Sequence, residues 1–219
     1  MTLSNVVDNF CAHGASPGRA RGLTAFLCLL MALRLAGAGT VQLQVQDGAG
    51  KPLTDAVVFL ESREARVLAK PLQGVEMAQK AKQFDPTVLV VTAGTAVTFP
   101  NRDTVRHHVY SFSPNKTFEL KLYSGAPANP VVFDKTGIAV LGCNIHDAMT
   151  AWVVVVDTPY FARSSASGSV SLGQVPPGTY RLRVWHPALP AGAPAADQAL
   201  VVTAADQVVQ YRLVGVSGP

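Results

Sequence analysis

From Thr40 onward the apolar residues come in short runs, many of them valine, each closed by glycine, proline, asparagine or aspartate. Runs of that length and composition favour β-strands over helices. The clearest case is the first, where Val41, Leu43 and Val45 alternate with Gln42, Gln44 and Gln46, as a half-buried strand requires. Further strands are expected over Ala56 to Leu60, Val88 to Val91, Ala96 to Phe99, Phe118 to Tyr123, Val131 to Asp134, Ile138 to Leu141 and Trp152 to Val156. A last group covers Val170 to Leu172, Tyr180 to Trp185, Val201-Val202 and Val208 to Leu213. Glu61 to Gln73 reads as a connector, Val75 to Gln83 fits a strand or a weak helix, and the Ala/Pro-rich Pro187 to Ala196 reads as a loop. No solenoid-type repeat is present.

The length of 219 residues allows one large domain or two small ones. At 48% hydrophobic and 15% charged residues, with 18 Gly and 15 Pro, the chain is folded and rich in turns. Residues 1–38 have the layout of a secretory signal peptide: a polar stretch with Arg19 and Arg21, the apolar run Leu23 to Leu33, and the small-residue site Ala36-Gly37-Ala38. The run has 11 residues, too few to span a bilayer comfortably at roughly 20 per crossing. A retained N-terminal membrane anchor or a buried helix is the competing reading. Ala20 separates the two arginines, so there is no twin-arginine pair and the general export route is expected. Removal of 1–38 takes away three cations, Arg19, Arg21 and Arg34, and one anion, Asp8, so the net charge of +4 becomes +2. No Lys/Arg cluster remains to grip a phosphate backbone, which argues against nucleic acid as a partner. Cys11 and Cys28 leave with the leader, so Cys143 is the one cysteine kept. A lone thiol in an oxidising compartment is inert and buried, reactive, or bound to a metal.

Cys143 lies in the run Gly142-Cys143-Asn144-Ile145-His146-Asp147-Ala148-Met149, between two expected strands. Thiolate, imidazole and thioether from one tight loop are the ligand types that suit copper in both its oxidation states. A site of that kind needs a second histidine from elsewhere, and His107-His108 closes the loop that begins at Pro100-Asn101. Adjacent residues of a strand point to opposite faces, so only one of His107 and His108 can serve. His186, followed by Pro187, is expected to play no part. Taken one at a time, each of these residues is more often structural than functional, and the joint spacing carries the signal. A glycine-rich phosphate loop, HExxH, GxSxG and paired carboxylates are all missing, so an enzyme acting alone is not expected.

Several segments between Phe84 and Asp157 resemble the cupredoxin, or blue copper, family. They are Phe-Asp-Pro at 84–86, Gly-Thr-Ala-Val-Thr-Phe-Pro-Asn at 94–101, an asparagine six residues ahead of His107, a glycine at 137 six ahead of Cys143, and C-x-x-H-x-x-M over 143–149, the last similar to amicyanin's loop. The flanks resemble a carboxypeptidase-regulatory-like, transthyretin-like sandwich. The matches there are Val-Gln-Asp-Gly-Ala-Gly-Lys-Pro-Leu-Thr-Asp-Ala-Val-Val at 45–58 and Gly-Ser-Val-Ser-Leu-Gly-Gln-Val-Pro-Pro-Gly-Thr-Tyr-Arg-Leu-Arg-Val at 168–184. As a whole the chain is also similar to bacterial exported proteins labelled methylamine utilization proteins, a genome-context name.

These resemblances imply an all-β protein in which a Greek-key cupredoxin β-sandwich, residues 73–157, is inserted into a small carbohydrate-binding-like sandwich formed by 39–72 and 158–219. A single large sandwich is the alternative. They also imply one type 1 copper held by His107, Cys143, His146 and Met149, with Asn101 tying the upstream loop to the cysteine loop. Asp147 stands where the family has proline, and Arg106 likewise replaces a proline. Asp147 is therefore expected to place charge beside His146, with Arg102 and Arg106 near it, and to lower the reduction potential. The implied function is one-electron transfer between periplasmic redox proteins, without membrane attachment once the leader is removed. A copper-handling or partner- or carbohydrate-binding role is the alternative, and an enzyme with an open copper position a third.

Overall fold

The computed structural model of the protein describes residues 37–216. Residues 1–36 of the leader expected over 1–38, with Cys11 and Cys28, lie outside the described residues. The rest is all-β apart from one short helix, and its strands are stacked as β-sandwiches.

In chain order the elements begin with β1 (Gly39–Gln46), β2 (Val57–Glu61) and α1 (Arg63–Leu68). There follow β3 (Val75–Glu76), β4 (Ala78–Lys80), β5 (Gln83–Asp85), β6 (Val88–Thr92) and β7 (Thr95–Thr98). Next come β8 (His107–Ser113), β9 (Lys116–Tyr123), β10 (Val131–Phe133), β11 (Gly137–Gly142) and β12 (Thr150–Val156). The chain closes with β13 (Phe161–Arg163), β14 (Ser169–Val175), β15 (Gly178–Trp185), β16 (Ala196–Val202) and β17 (Gln207–Arg212). The ladders fall into two sets. Strands β1, β2 and β13 to β17 pair among themselves as the sheets β14-β1-β17 and β13-β2-β15-β16. Strands β3 to β12 form β6-β12-β11-β8-β9, β10-β7-β3 and the small β4-β5 hairpin. The chain leaves the first set after β2 and returns as β13, which pairs antiparallel with β2 in the register Phe161↔Phe59 to Arg163↔Val57. The exit and return points are thus neighbours, the condition under which a long excursion leaves a sheet undisturbed.

Three apolar layers hold the stack. One, with Val41, Leu43, Val58, Leu60, Leu172 and Leu182, fills the first sandwich. A second, with Phe99, Val109, Phe133, Leu141 and Val153, fills the other and contains Cys143 and Met149. The third, with Val57, Phe59, Val88, Val154, Val156 and Trp185, glues the two sandwiches face to face. Strands β2 and β12 are therefore sandwiched on both sides. Val58 and Leu60 of β2 point into the first layer and Val57 and Phe59 into the third. In β12, Ala151, Val153 and Val155 face the Cys143 core, and Val154 and Val156 the joining layer. That is why Val153 to Val156 is a continuous apolar run with no alternation: both faces leave water. Arg163 crosses the joint as well, donating from Nη1 to the Val88 carbonyl at 2.9 Å.

One segment departs from the sequence reading, and another takes one of its two alternatives. The connector Glu61 to Gln73 contains α1, whose N-cap Ser62 accepts from the Ala65 N–H at 3.0 Å and whose first turn carries Glu64. Val75 to Gln83 is extended, as β3, β4 and the start of β5. The β4–β5 turn consists of Ala81 and Lys82, both with positive φ, 53° and 57°. Such conformations cost roughly 1–2 kcal/mol per non-glycine residue, and the compensation comes from the site described next.

Candidate metal centre

Strand β8 opens with three successive buried residues, His107, His108 and Val109, at a register shift in its pairing with β9, and the two adjacent histidines turn to different partners. His107 is fully buried, and its Nδ1 lies 3.8 Å from Cys143 Sγ. His108 faces the other way, its Nδ1 accepting from Asn144 Nδ2 at 2.7 Å, which leaves the proton on Nε2. The Nε2 nitrogen lies 3.0 Å from Glu119 Oε1, outside hydrogen-bond geometry. Only His107 reaches the cysteine.

Asp103 sets the tautomer of His107. Its Oδ2 lies 2.8 Å from His107 Nε2, and since a carboxylate can only accept, Nε2 carries the proton and the Nδ1 lone pair is turned toward Cys143. The same carboxylate accepts the Ala81 N–H at 2.7 Å and the Lys82 N–H at 2.9 Å. These charge-assisted bonds offset the strained turn. Partial burial pushes the Asp103 carboxyl up, but the Lys82 N–H, the His107 imidazole and the Ala81 N–H outweigh it and hold it below the usual range. Asp103 is thus an ionised anchor shared by the β4–β5 turn and His107.

Asn101 shapes the loop that brings Asp103 and His107 together. Its Oδ1 accepts from the Asp103 N–H at 2.9 Å, and its Nδ2 donates to Val105 O at 2.8 Å and Tyr123 O at 3.0 Å. The expected tie from Asn101 to the cysteine loop is replaced by bonds inside its own loop and to the end of β9. An Asx turn so short spends the side chain locally. The Tyr123 hydroxyl lies 2.6 Å from Gln79 Oε1 and 2.7 Å from Phe99 O; burial raises its pKa far above the ordinary value, so it stays protonated.

The second group of side chains comes from the loop between β11 and β12. Gly142 closes β11 with Tyr110 packed over it: a Cβ there would lie 2.6 Å from the Tyr110 hydroxyl. Only glycine lets the chain pass beneath that ring and turn Cys143, 4% exposed, into the core. The Met149 N–H donates to His146 O at 2.9 Å, closing a turn that buries Met149 in the same core and holds His146 half-buried at its edge. The His107 and His146 rings are 5.1 Å apart, centroid to centroid, tilted by 52°. One ligand atom each of His107, Cys143 and His146 lie within 4.8 Å of one another.

His146 Nδ1 is buried and has no hydrogen-bond partner. An unpaired buried polar atom costs about 1–3 kcal/mol. Two imidazole nitrogens and a thiol, with Met149 in the same core, one nitrogen orphaned and another aimed by a carboxylate, fit a soft or borderline metal such as copper. Asp147 is exposed beside His146. Arg102, expected near it, pairs instead with Glu76. Asp103 was not singled out in the sequence, although an Asn-x-Asp turn four residues ahead of a histidine is visible there. The amides it captures come from a hairpin more than 20 residues upstream.

No protein-family model matches this sequence, and no curated protein matches it. Solved structures do. A purple cupredoxin from Nitrosopumilus maritimus is 22% identical over 37% of this chain and 99% of its own, with a TM-score of 0.34. A reduced amicyanin variant is 20% identical over 45% of this chain and 98% of its own, at 0.35. A copper-containing nitrite reductase from Thermus scotoductus SA-01 is 21% identical over 44% of this chain, at 0.36, and there the match spans only 27% of the enzyme.

Proposed function

We propose that the protein is an exported blue-copper electron carrier: residues 73–157 form a cupredoxin module, inserted into a second sandwich of 39–72 and 158–219, that takes one type 1 copper through His107, Cys143, His146 and Met149. The observation that carries this reading is the convergence of His107, Cys143 and His146 to within 4.8 Å, with His146 Nδ1 buried and unpartnered. Copper supplies the one-electron chemistry by cycling between Cu(I) and Cu(II). The chain's part is to hold the donors still. Asp103 fixes the His107 tautomer, the His146–Met149 turn fixes the loop, and the apolar core around Cys143 excludes water. A donor set held rigid from both sides reorganises little when an electron arrives.

His146, half-buried, is the donor nearest solvent, so redox partners are expected to dock over it, with Ile145 and Asp147 exposed alongside. The partners are periplasmic redox proteins. No helix among the described residues is long and apolar enough to cross a membrane. The test is to add Cu(II) to the purified chain and record the visible spectrum. An intense thiolate-to-copper band that Cys143→Ser abolishes supports the carrier. Tight binding without the band would favour copper handling, and reversible voltammetry separates carrying from storage.

A further inference from the structure

The layer joining the two sandwiches opens at one end into a cleft with a volume of about 670 Å³. Its floor is the outer face of β11 and β12, through Ile138, Val140 and Trp152, and its far wall is Trp185 with the Pro187 to Pro194 loop. The size suits a small molecule, for which clefts of about 300–1,000 Å³ are usual. No Asp, Glu, Lys, Arg or His side chain lines it. The indoles of Trp152 and Trp185 lie 6.2 Å apart and tilted by 55°, Trp185 almost wholly buried and Trp152 partly open. Among the described residues neither indole N–H has a protein acceptor, and neither nitrogen is among the buried atoms left without a partner, so both N–H groups are open to solvent. The polar side chains in its lining, the tryptophans aside, are Ser113, Asn115 and Thr150. The Ser113 hydroxyl already accepts the Val140 N–H at 2.8 Å, which leaves its proton to donate outward.

We propose that this cleft is a binding site for a neutral, flat aromatic molecule carrying a carbonyl or hydroxyl group, such as a quinone or a phenol. A charged ligand would lose its hydration with no counter-charge to meet it. A sugar would bring hydroxyls on every edge to walls of proline, alanine, leucine and valine, and most would lose their partners. A flat ring slides between indole and prolyl surfaces, and its one or two oxygens meet the indole and Ser113 donors. The ligand would sit on the outer face of the ladder whose inner face buries Leu141 and Ala151 beside Cys143. The site does not depend on copper.

The chain has two tryptophans, and both line the cleft, so its tryptophan emission reports on this place alone. The experiment is to titrate the full chain, without added copper, with 1,4-naphthoquinone, following tryptophan quenching and, in parallel, calorimetric heat. Saturable one-to-one binding is expected. It should weaken about tenfold or more in Val140→Arg, which puts a charge into the apolar floor at an exposed strand position. Ala191→Glu, on the opposite loop, should do the same if the strand variant melts early. Linear, unsaturable quenching would overturn the proposal. So would unchanged affinity in both variants, or tighter saturable binding of glucose or of a naphthoquinone sulfonate. None of these outcomes bears on the Cys143 absorption band.

Discussion

His186 in the first sandwich and the pair His107 and His146 in the second are imidazoles in the same kind of protein interior, completed in opposite ways. His186 is 7% exposed, and both nitrogens are used: Nε2 donates to Thr54 O at 2.9 Å and Nδ1 accepts the Ala188 N–H at 3.1 Å. It is a brace for the bend that precedes the Pro187 loop. His107 has one nitrogen committed to Asp103 and the other facing only the Cys143 sulfur, and His146 Nδ1 is buried with no partner. A protein satisfies the polar atoms it uses for structure. Where it leaves a buried nitrogen without a partner beside a thiol and a second imidazole, the spot is prepared for something else. Both sandwiches have cores of buried aliphatic and aromatic side chains, and the difference lies in the loop ends.

The comparison can be broken most sharply at Cys143. Cys143→Ser should abolish the visible Cu(II) band altogether, whereas His186→Gln should leave its position and intensity unchanged. A band that survives the first change, or vanishes with the second, reverses the assignment of the two sandwiches.

Asp103→Asn comes next. Its single amide oxygen can keep the Ala81 or the Lys82 N–H but not both, since the two bond to different carboxylate oxygens, and the change removes the charge that aims His107. Outer partners of this kind are typically worth about 10–100-fold in metal affinity. Competition titration with a Cu(II) chelator measures the loss. An affinity within twofold of the parent chain would reduce Asp103 to a turn anchor.

Asp147→Asn should raise the reduction potential, because an exposed carboxylate beside His146 favours the more highly charged Cu(II) state. The effect is on the order of tens of millivolts through solvent-screened charge. Voltammetry at low and high salt checks it, and the difference should shrink as salt rises. A potential unmoved at low salt would remove Asp147 from the account.

The smallest effect is expected at His186, in acid. Burial lowers its pKa, with the Thr54 hydrogen bond and the Asp55 charge acting the other way. The folded state therefore binds the proton less readily than the unfolded chain. The resulting stability is present above the unfolded value near 6.5 and is lost as the pH falls through the lower folded value. Urea midpoints at pH 7 and pH 5 should differ less for His186→Gln than for the parent chain. An equal drop would mean that other groups carry the acid sensitivity.

Much of the fold was legible because strands in this chain are short and bounded by glycine and proline. Where one face meets water, as in Val41 to Val45, alternation places each residue. Where both faces are covered, as in Val153 to Val156, the sequence reads only as apolar, and the layer that glues the sandwiches does not show. The helix α1 does not show in the sequence because six residues carry too little periodicity.

The same division runs through the site. Residues 143–149 are local: a cysteine, a histidine three residues on and a methionine three further must share one loop wherever it sits, so the sequence by itself determined that thiol, imidazole and thioether lie together. The tertiary structure decided the rest. It chose His107 over His108, since adjacent strand residues look alike in sequence and only the packing of β8 against β11 says which face is inside. It also brought Asp103 beneath two amides from a hairpin more than 20 residues earlier, and turned Asn101 toward its own loop. Hydrogen-bond partners of that separation are fixed by how sheets stack, and stacking depends on every buried side chain at once, which no local pattern encodes.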